Sequence, residues 1–528
     1  MFDLLLQGGT VVDGTGAAGQ RAEVALVGDR IAQVGTIGTA PARRTVDIAG
    51  LVVAPGFIDV HNHSDGWLLK QRHFVAKTSQ GFTTEVLASD GISYAPISAD
   101  TARDWITYLR PLDGLAQHDY RGWQALAEYA DCLHGATAQN VVMQIPYANV
   151  RVLACGWGRA AADDVQINLM RGEVRRSMEA GAVGVSTGLD YIAQSFATTD
   201  ELVAVCRELA AYDGLYATHV RYKRGTLEGL REAVEIGRRA GIRVHISHLK
   251  GMTPQEVEEL LDYVDRVAVN EVDFSFDIYP YMSGSTLVSS LLPYEAWEEG
   301  PLAVPARLRN PALVRRFAEL LAGHRSHAEQ IRLAWVATKD NADVQGLSIA
   351  EFAARRGKPL AEALVDLLID EQLAVLAVFR ADDDRLVEPF LAHPKQMLGT
   401  DAIYTEDGPI HPRIFGSAAR MLGPLVRDRR LFTLEEAVRK MTGYPAERFG
   451  LVDRGVIREG AFADLVVFDP ATITDCATYD DSRRSSEGVA HVFVNGIAII
   501  TGGKPATGIE VHAPGRVLRF RNARSSMA

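Results

Sequence analysis

Cysteine is scarce in this chain. Cys132, Cys155, Cys206 and Cys476 are the only four in 528 residues, and no Cys-x-x-Cys pair occurs. That argues against a disulfide framework and fits a reducing cytoplasm. No cysteine neighbours a histidine, so none is an obvious metal ligand. Long apolar runs are missing as well. No stretch reaches the roughly 18 consecutive apolar residues of a membrane-spanning helix. The opening residues, Met1-Phe2-Asp3-Leu4-Leu5-Leu6-Gln7, lack a basic segment followed by a long apolar one, so no signal peptide is expected. Positive charge is not in excess. The net charge of −12 argues against nucleic acid and anionic membranes as partners. Low-complexity runs and repeats are absent.

What is present is ample hydrophobic material, 47% of residues, in a chain too long for one ordinary domain. Residues 1–50 read as short strands (3–6, 10–12, 24–27, 31–34) separated by Gly-Gly, Asp-Gly-Thr-Gly and Gly-Asp turns. Strands return near the far end, at 463–468 and 489–494, with Asn495-Gly496 as a hairpin signal. The two ends are therefore expected to pair into one small β-domain, 1–52 with 455–528, flanking a central domain, 53–454.

The centre alternates strands with helical segments, the pattern of βαβ units and a parallel sheet. Eight strand candidates stand out: 52–59, 83–88, 141–145, 183–187, 215–219, 244–248, 272–278 and 397–401. Thr198-x-x-Glu201 reads as a capping box closed by Gly214, and Thr253-Pro254-Gln255-Glu256 as another helix start. Eight strands with helical crossovers predict an α/β fold, a (β/α)8 TIM-like barrel; a doubly wound open sheet is the competing topology. An insertion, 285–395, is too long for a plain βα connection and is expected to hold helices at 311–321 and 359–369.

The strand ends carry the chemistry. The first closes in His61-Asn62-His63, where alternate residues of a strand share a face. The fifth closes in His219, the sixth in His248 and the eighth in Asp401. In a barrel all five gather on one rim, and imidazoles and carboxylates in such a group are metal ligands. His245 lies three positions before His248, faces the other way, and reads as structural or as support for a ligand. His73, His118, His134, His324, His327 and His491 lack such a context.

This pattern resembles the amidohydrolase superfamily, and more closely its N-acyl-D-amino-acid deacylases, over nearly the whole chain. The matching stretches are Gly8–Gly16 (Gly-Gly-Thr-Val-Val-Asp-Gly-Thr-Gly), Pro55-Gly56-Phe57-Ile58-Asp59-Val60-His61-Asn62-His63-Ser64-Asp65, Thr218-His219-Val220-Arg221, Ile246-Ser247-His248-Leu249-Lys250, Asp277-Ile278-Tyr279-Pro280-Tyr281, Ser285-Thr286, Gly399-Thr400-Asp401 and His411-Pro412-Arg413. The resemblance implies one or two Zn2+ ions held by His61, His63, His219 and His248, with Asp401 moving protons between water and the departing amine. It implies that Lys250, Tyr279 and Ser285 bind the substrate carboxylate. Arg221 is added as a bidentate clamp. The expected reaction is metal-dependent hydrolysis of N-acyl amino acids, the D series first, to a carboxylate and a free amino acid.

One departure stands out. Relatives often have a zinc-binding cysteine after strand two, in Asn-Cys-Gly; here the segment is Ser89-Asp90-Gly91. Asp90 is expected as a metal ligand, with loop orientation as the alternative. Strand four has no lysine, so no carboxylated lysine is expected. Arg380 replaces a commonly apolar residue and reads as a surface charge or a second clamp. Tyr191, Tyr281 and Met282 line the side-chain pocket or simply pack. Rival readings are an N-acyl-β-amino-acid acylase, a hydantoinase-like cyclic-amide hydrolase, a dipeptidase, or a metal-free scaffold. Chirality, acyl preference and oligomeric state are not encoded legibly.

Overall fold

A computed structural model describes residues 1–520, apart from Thr39, Arg325 and Glu510. The two chain ends build two stacked sheets. In one, strand Phe2–Gln7 runs between Glu23–Val27 and Ala42–Asp47, with Arg30–Gly35 at the edge. In the other, Val52–Pro55 pairs with Thr10–Val11 on one side and, antiparallel, with Leu465–Phe468 on the other; Val489–Val494 and Ile497–Thr501 follow. Leu4, Leu6, Val24 and Leu26 from the first sheet meet Val53, Leu465, Val467 and Phe493 from the second in a shared core. The hairpin at Asn495-Gly496 turns through two left-handed residues (φ 49° and 80°), which Asn and Gly tolerate best.

The expected first strand, 52–59, splits at Gly56. Val52–Pro55 belongs to the sandwich, and only Phe57–Asp59 enters the barrel. A Cβ at Gly56 would lie 2.2 Å from the Thr83 side chain, so this close crossing demands glycine. The barrel runs on through Phe82–Leu87 and 140–146, the latter one strand broken at Gln144. It continues through Gly184–Gly188, Leu215–His219, Arg243–Ile246, Phe274–Asp277 and Gln396–Met397, all parallel. Val183 N donates to Met143 O at 3.0 Å and ties the two runs together. Val60 N to Leu398 O (3.4 Å) and Asp401 N to His61 O (2.7 Å) close the eighth strand on the first. The chain is a (β/α)8 barrel with a small β-sandwich.

The insertion holds helices Pro311–Ala322, Ile349–Arg356 and Leu360–Asp370, and an antiparallel sheet of Gly284–Leu287, Val375–Phe379 and Ile331–Val336. Thr198 caps helix Thr199–Cys206, but the box is only half made. Glu201 turns its carboxylate to Arg151 Nε (2.8 Å) and the Tyr147 hydroxyl (2.6 Å). That segment ends on Asp213 (φ 56°) rather than on Gly214. Among the described residues, no helix is long and apolar enough to cross a membrane.

Candidate metal centre and active site

Local backbone devices put each side chain in place. The first strand bends at 60–61, so alternation alone does not align His61 with His63. His63 resumes a short strand, Asn62–His63, beside Ala402–Ile403. Asp90 sits in a tight turn, Ser89–Gly91, with φ 57°. Gln194 braces that turn: Nε2 donates to Asp90 O and Oε1 accepts from Gly188 N, both at 2.8 Å. Gly91 (φ 68°) is packed so closely that a Cβ would lie 2.3 Å from Gln194 Oε1. His248 (φ 37°) and Asp401 (φ 47°) are also left-handed, an uncommon conformation for such residues outside functional sites.

Four histidines and two aspartates converge. Asp90 Oδ1 lies 3.4 Å from His61 Nε2 and 3.8 Å from His248 Nε2. Its Oδ2 lies 3.8 Å from His63 Nε2 and 3.7 Å from His219 Nδ1. Asp401 Oδ1 is 3.7 Å from His61 Nε2 and 3.4 Å from His63 Nε2. These gaps exceed hydrogen-bond length. They are close to the roughly 3.3 Å between donors that share a tetrahedral ion with bonds of about 2.0–2.1 Å. His61, Asp90 and His248 form one possible ligand group, and His61, His63 and Asp401 another. His61 Nε2 and Asp90 Oδ1 are buried without a hydrogen-bond partner among the described residues. A buried polar atom without a partner is costly, and a cation between them would satisfy both.

The outer nitrogens supply a second test. His61 Nδ1 faces Asp277 (3.4 Å), His63 Nδ1 faces Asp113 (3.2 Å) and His219 Nε2 faces Asp190 (3.3 Å). Each ring thus turns one nitrogen to a carboxylate and the other inward, the arrangement that orients metal-binding histidines. His245 bonds Asp277 Oδ2 at 2.9 Å and Ser275 at 3.0 Å, and does not reach the centre. Burial alone would lower the histidine pKa values. At His248 burial wins and the pKa is lowered; at the other three the surrounding carboxylates outweigh it, Asp90 first at His61, Asp113 at His63 and Asp190 at His219. They raise His61, push His63 up to about 10 and His219 up to about 9. The cluster therefore draws in positive charge, which a divalent cation supplies in place of protons.

Beside the cluster, Arg413 is fully buried and donates to Asp401 Oδ2 at 2.8 Å. Burial would raise the Asp401 pKa; Arg413 and the nearby histidines hold it well below the usual carboxylate range. Lys250 Nζ donates to the Tyr279 hydroxyl at 3.0 Å and to Met282 O at 3.1 Å. Burial first, and then the Arg413 charge, bring Lys250 down to about 8. The Ser285 hydroxyl donates to Ala377 O (2.9 Å), while its carbonyl accepts from Arg413 Nη2 (3.2 Å). Lys250, Tyr279, Ser285 and Arg413 thus form a polar wall next to Asp401.

Arg221 is a correction. Its guanidinium is buried and already engaged with Glu232 (2.9 Å) and the carbonyls of Leu189, Ser195 and Ala197. It ties loops together and has no free fork for a substrate. Arg380 stacks over Tyr479 at 4.3 Å and lines a cavity of about 580 Å3 that includes neither Lys250 nor Tyr279. Tyr191 lies against His219 (4.9 Å), whereas the Tyr281 hydroxyl turns to Asp475 (3.3 Å). A cavity of about 940 Å3, lined in part by Gly14, Arg243, Arg439 and Phe520, contains none of these groups; chemistry rather than volume locates the site.

Sequence reasoning assigned no role to Asp113, Asp190, Asp277, Gln194 or Arg413. Asp190 and Asp277 follow or close barrel strands as the histidines do, and that position was a usable signal. Asp113 ends a helix fifty residues from His63, and nothing in the sequence marks it.

A family model described as Amidohydrolase family matches residues 44–499. The chain is 37% identical over 503 residues to a D-aminoacylase of Alcaligenes xylosoxydans xylosoxydans, covering 94% of each. Among solved structures it resembles an N-acyl-D-glutamate deacylase from Bordetella bronchiseptica, complexed with zinc and a phosphonate that mimics the tetrahedral intermediate. That match has TM-score 0.83 and 33% identity, covering 98% of this chain and 99% of that one. It resembles equally a D-aminoacylase with a binuclear metal centre, in which one metal activates and the second attenuates (TM-score 0.83, 35% identity, 98% and 100% covered).

Proposed function

The chain belongs to the amidohydrolase family, and on that premise we propose that it is a zinc-dependent deacylase of N-acyl amino acids, N-acyl-D-amino acids first. It hydrolyses the linear amide to a carboxylate and a free amino acid. The observation that carries this reading is the inward convergence of His61, His63, His219, His248, Asp90 and Asp401 beside the polar wall of Lys250 and Tyr279.

In this reading His61, His63, Asp90, His219 and His248 hold one or two zinc ions. Bound zinc lowers the pKa of water towards about 7 and polarises a carbonyl oxygen. Asp401 accepts the proton of the attacking water on Oδ1 and returns it to the departing amine nitrogen. Arg413 keeps Oδ2 occupied, so that Oδ1 is the oxygen turned towards His61 and His63. Lys250 and Tyr279 hold the substrate carboxylate, with Ser285 beside them, and fix which amide faces Asp401.

We assign residues 1–52 with 455–528 to the small β-domain and 53–454 to the catalytic barrel; residues 521–528 lie outside the described ones. The four unpaired cysteines support a cytoplasmic location. The reading is tested by a hydrolysis screen of N-acetyl D-, L- and β-amino acids, with zinc determined on the same preparation. Turnover confined to L- or β-substrates, or to cyclic amides, overturns it.

A further inference from the structure

Among the described residues, a fully buried lysine close to the proposed centre has no part in the mechanism. Lys77, in the short helix Val75–Thr78, has no solvent exposure. Its Nζ pairs with Asp59 Oδ2 and donates to Thr400 Oγ1 at 2.7 Å. Thr400 in turn donates from Oγ1 to Asp59 Oδ2 (2.6 Å) and from its backbone N to Asp59 Oδ1 (2.8 Å). Asp59 stands two residues before His61, and Thr400 one residue before Asp401. These three side chains tie the first barrel strand to the eighth where a proposed zinc ligand and the proposed proton carrier leave their strands.

Beyond this cluster the seam continues as the short pair of Asn62–His63 with Ala402–Ile403. Val60 N to Leu398 O is long, at 3.4 Å, and Asp401 N to His61 O, at 2.7 Å, lies directly beyond the Lys77 cluster. A second buried carboxylate, Glu85, feels the Lys77 charge and accepts from Ser64 Oγ at 2.7 Å, next to His63. One ammonium thus lies among the carboxylates that reach both ends of His61-Asn62-His63, Asp59 at the His61 backbone N and Glu85 at Ser64.

We propose that Lys77 is a positioning residue for the hydrolysis, acting through Asp59 and Thr400 to set Asp401 against His61 and His63. The inference rests on the deacylase reading. Lys77 touches neither Lys250 nor Tyr279 and so has no part in holding the substrate carboxylate. Without the ammonium, Asp59 becomes an uncompensated buried anion, and Thr400 must shift or water must enter the seam.

The test uses full-length, zinc-loaded protein and three variants. Lys77→Met is expected to lower kcat about tenfold or more, as for the loss of support behind a metal ligand, with KM within about twofold. Zinc should also leave faster to a chelator. Asp59→Asn/Lys77→Met removes both charges and is expected to recover most of the kcat and the zinc retention. Thr400→Val, which cuts the hydroxyl's links to Lys77 and Asp59 but keeps their ion pair, is expected to lower kcat without raising KM, and judges the proposal if Lys77→Met does not fold. Wild-type kcat in Thr400→Val, a loss confined to KM, or a double variant no better than Lys77→Met overturns the proposal. If the wild-type protein itself turns over no N-acyl amino acid, the deacylase reading fails, and zinc retention in the variants still decides the role of Lys77.

Discussion

Asp401→Asn separates proton transfer from metal binding. Asn keeps the shape of Asp but cannot accept and return a proton, so general acid–base catalysis is lost. That loss is worth about 10²- to 10⁴-fold in kcat, or roughly 3–5 kcal/mol of barrier. Four histidines and Asp90 remain, so zinc content is expected to stay near the wild-type value. Stability is expected to fall as well. Arg413 is fully buried, and the substitution leaves its guanidinium without the carboxylate now 2.8 Å away. Removing one partner of a buried pair costs about 3–5 kcal/mol, offset in part because Asn can still accept a hydrogen bond and Arg413 keeps Ser285 O. The assay is steady-state hydrolysis of an N-acetyl-D-amino acid, with zinc determination and a thermal melt on the same samples. A variant with kcat within tenfold of wild type refutes the role of Asp401. Loss of zinc together with turnover makes Asp401 a metal ligand first.

Three further outcomes follow from particular contacts. Arg221→Met is expected to destabilise the fold by about 3 kcal/mol, because Glu232 and three carbonyls lose their buried partner; KM should stay near wild type, and a tenfold rise in KM would restore Arg221 as a substrate clamp. Lys250→Met is expected to raise KM about 10- to 100-fold, the worth of one charge-assisted hydrogen bond of about 1.5–3 kcal/mol, with zinc content unchanged; an unaltered KM would remove Lys250 from the carboxylate site. Lys440 gives a pH signature remote from the centre. Burial brings its pKa from 10.5 down to about 7, so between these values the unfolded chain binds more protons than the folded one. The Lys440 contribution to stability should therefore rise with pH from about 7 to about 10, by up to roughly 5 kcal/mol, against the opposite trend of the raised His63 and His219. Lys440→Met should flatten that part of the curve measured by denaturant unfolding, and an unchanged slope would contradict the assignment.

The barrel was legible because its strands are apolar runs, four of them closed by a histidine or aspartate, and several crossovers carry their own helix signals. Six of the eight strands fall within two residues of expectation; the first starts five residues late, at Phe57, and the eighth ends four residues early, at Met397. The break at Gly56 was hidden, because a strand that leaves one sheet and enters another keeps the same apolar pattern. The side chains around the proposed centre were readable for the same reason: His61, His63, His219, His248 and Asp401 end strands, so topology brings them together. Asp90 was marked by the resemblance, since it stands where the similar deacylases often carry a zinc-binding cysteine. The carboxylates behind the histidines were not readable, since Asp113 reaches His63 across fifty residues and only packing joins them. Arg221 misled for the opposite reason. It follows His219 by two residues, but the bend after that strand turns its guanidinium into the loop at 189–197. Lys77 and Asp59 were invisible as a pair, because a buried lysine in a short helix looks in sequence like any surface one.

The central claim is that zinc, held by this cluster, makes the chain a deacylase of N-acyl-D-amino acids. The most direct measurement is hydrolysis of an N-acetyl-D-amino acid by protein stripped with a chelator and then titrated with zinc. The account predicts no turnover in the stripped protein, and activity restored as the first one or two equivalents bind, with the L-enantiomer left intact. Full activity without metal, or zinc bound stoichiometrically with no cleavage of any N-acyl-D-amino acid, would contradict it.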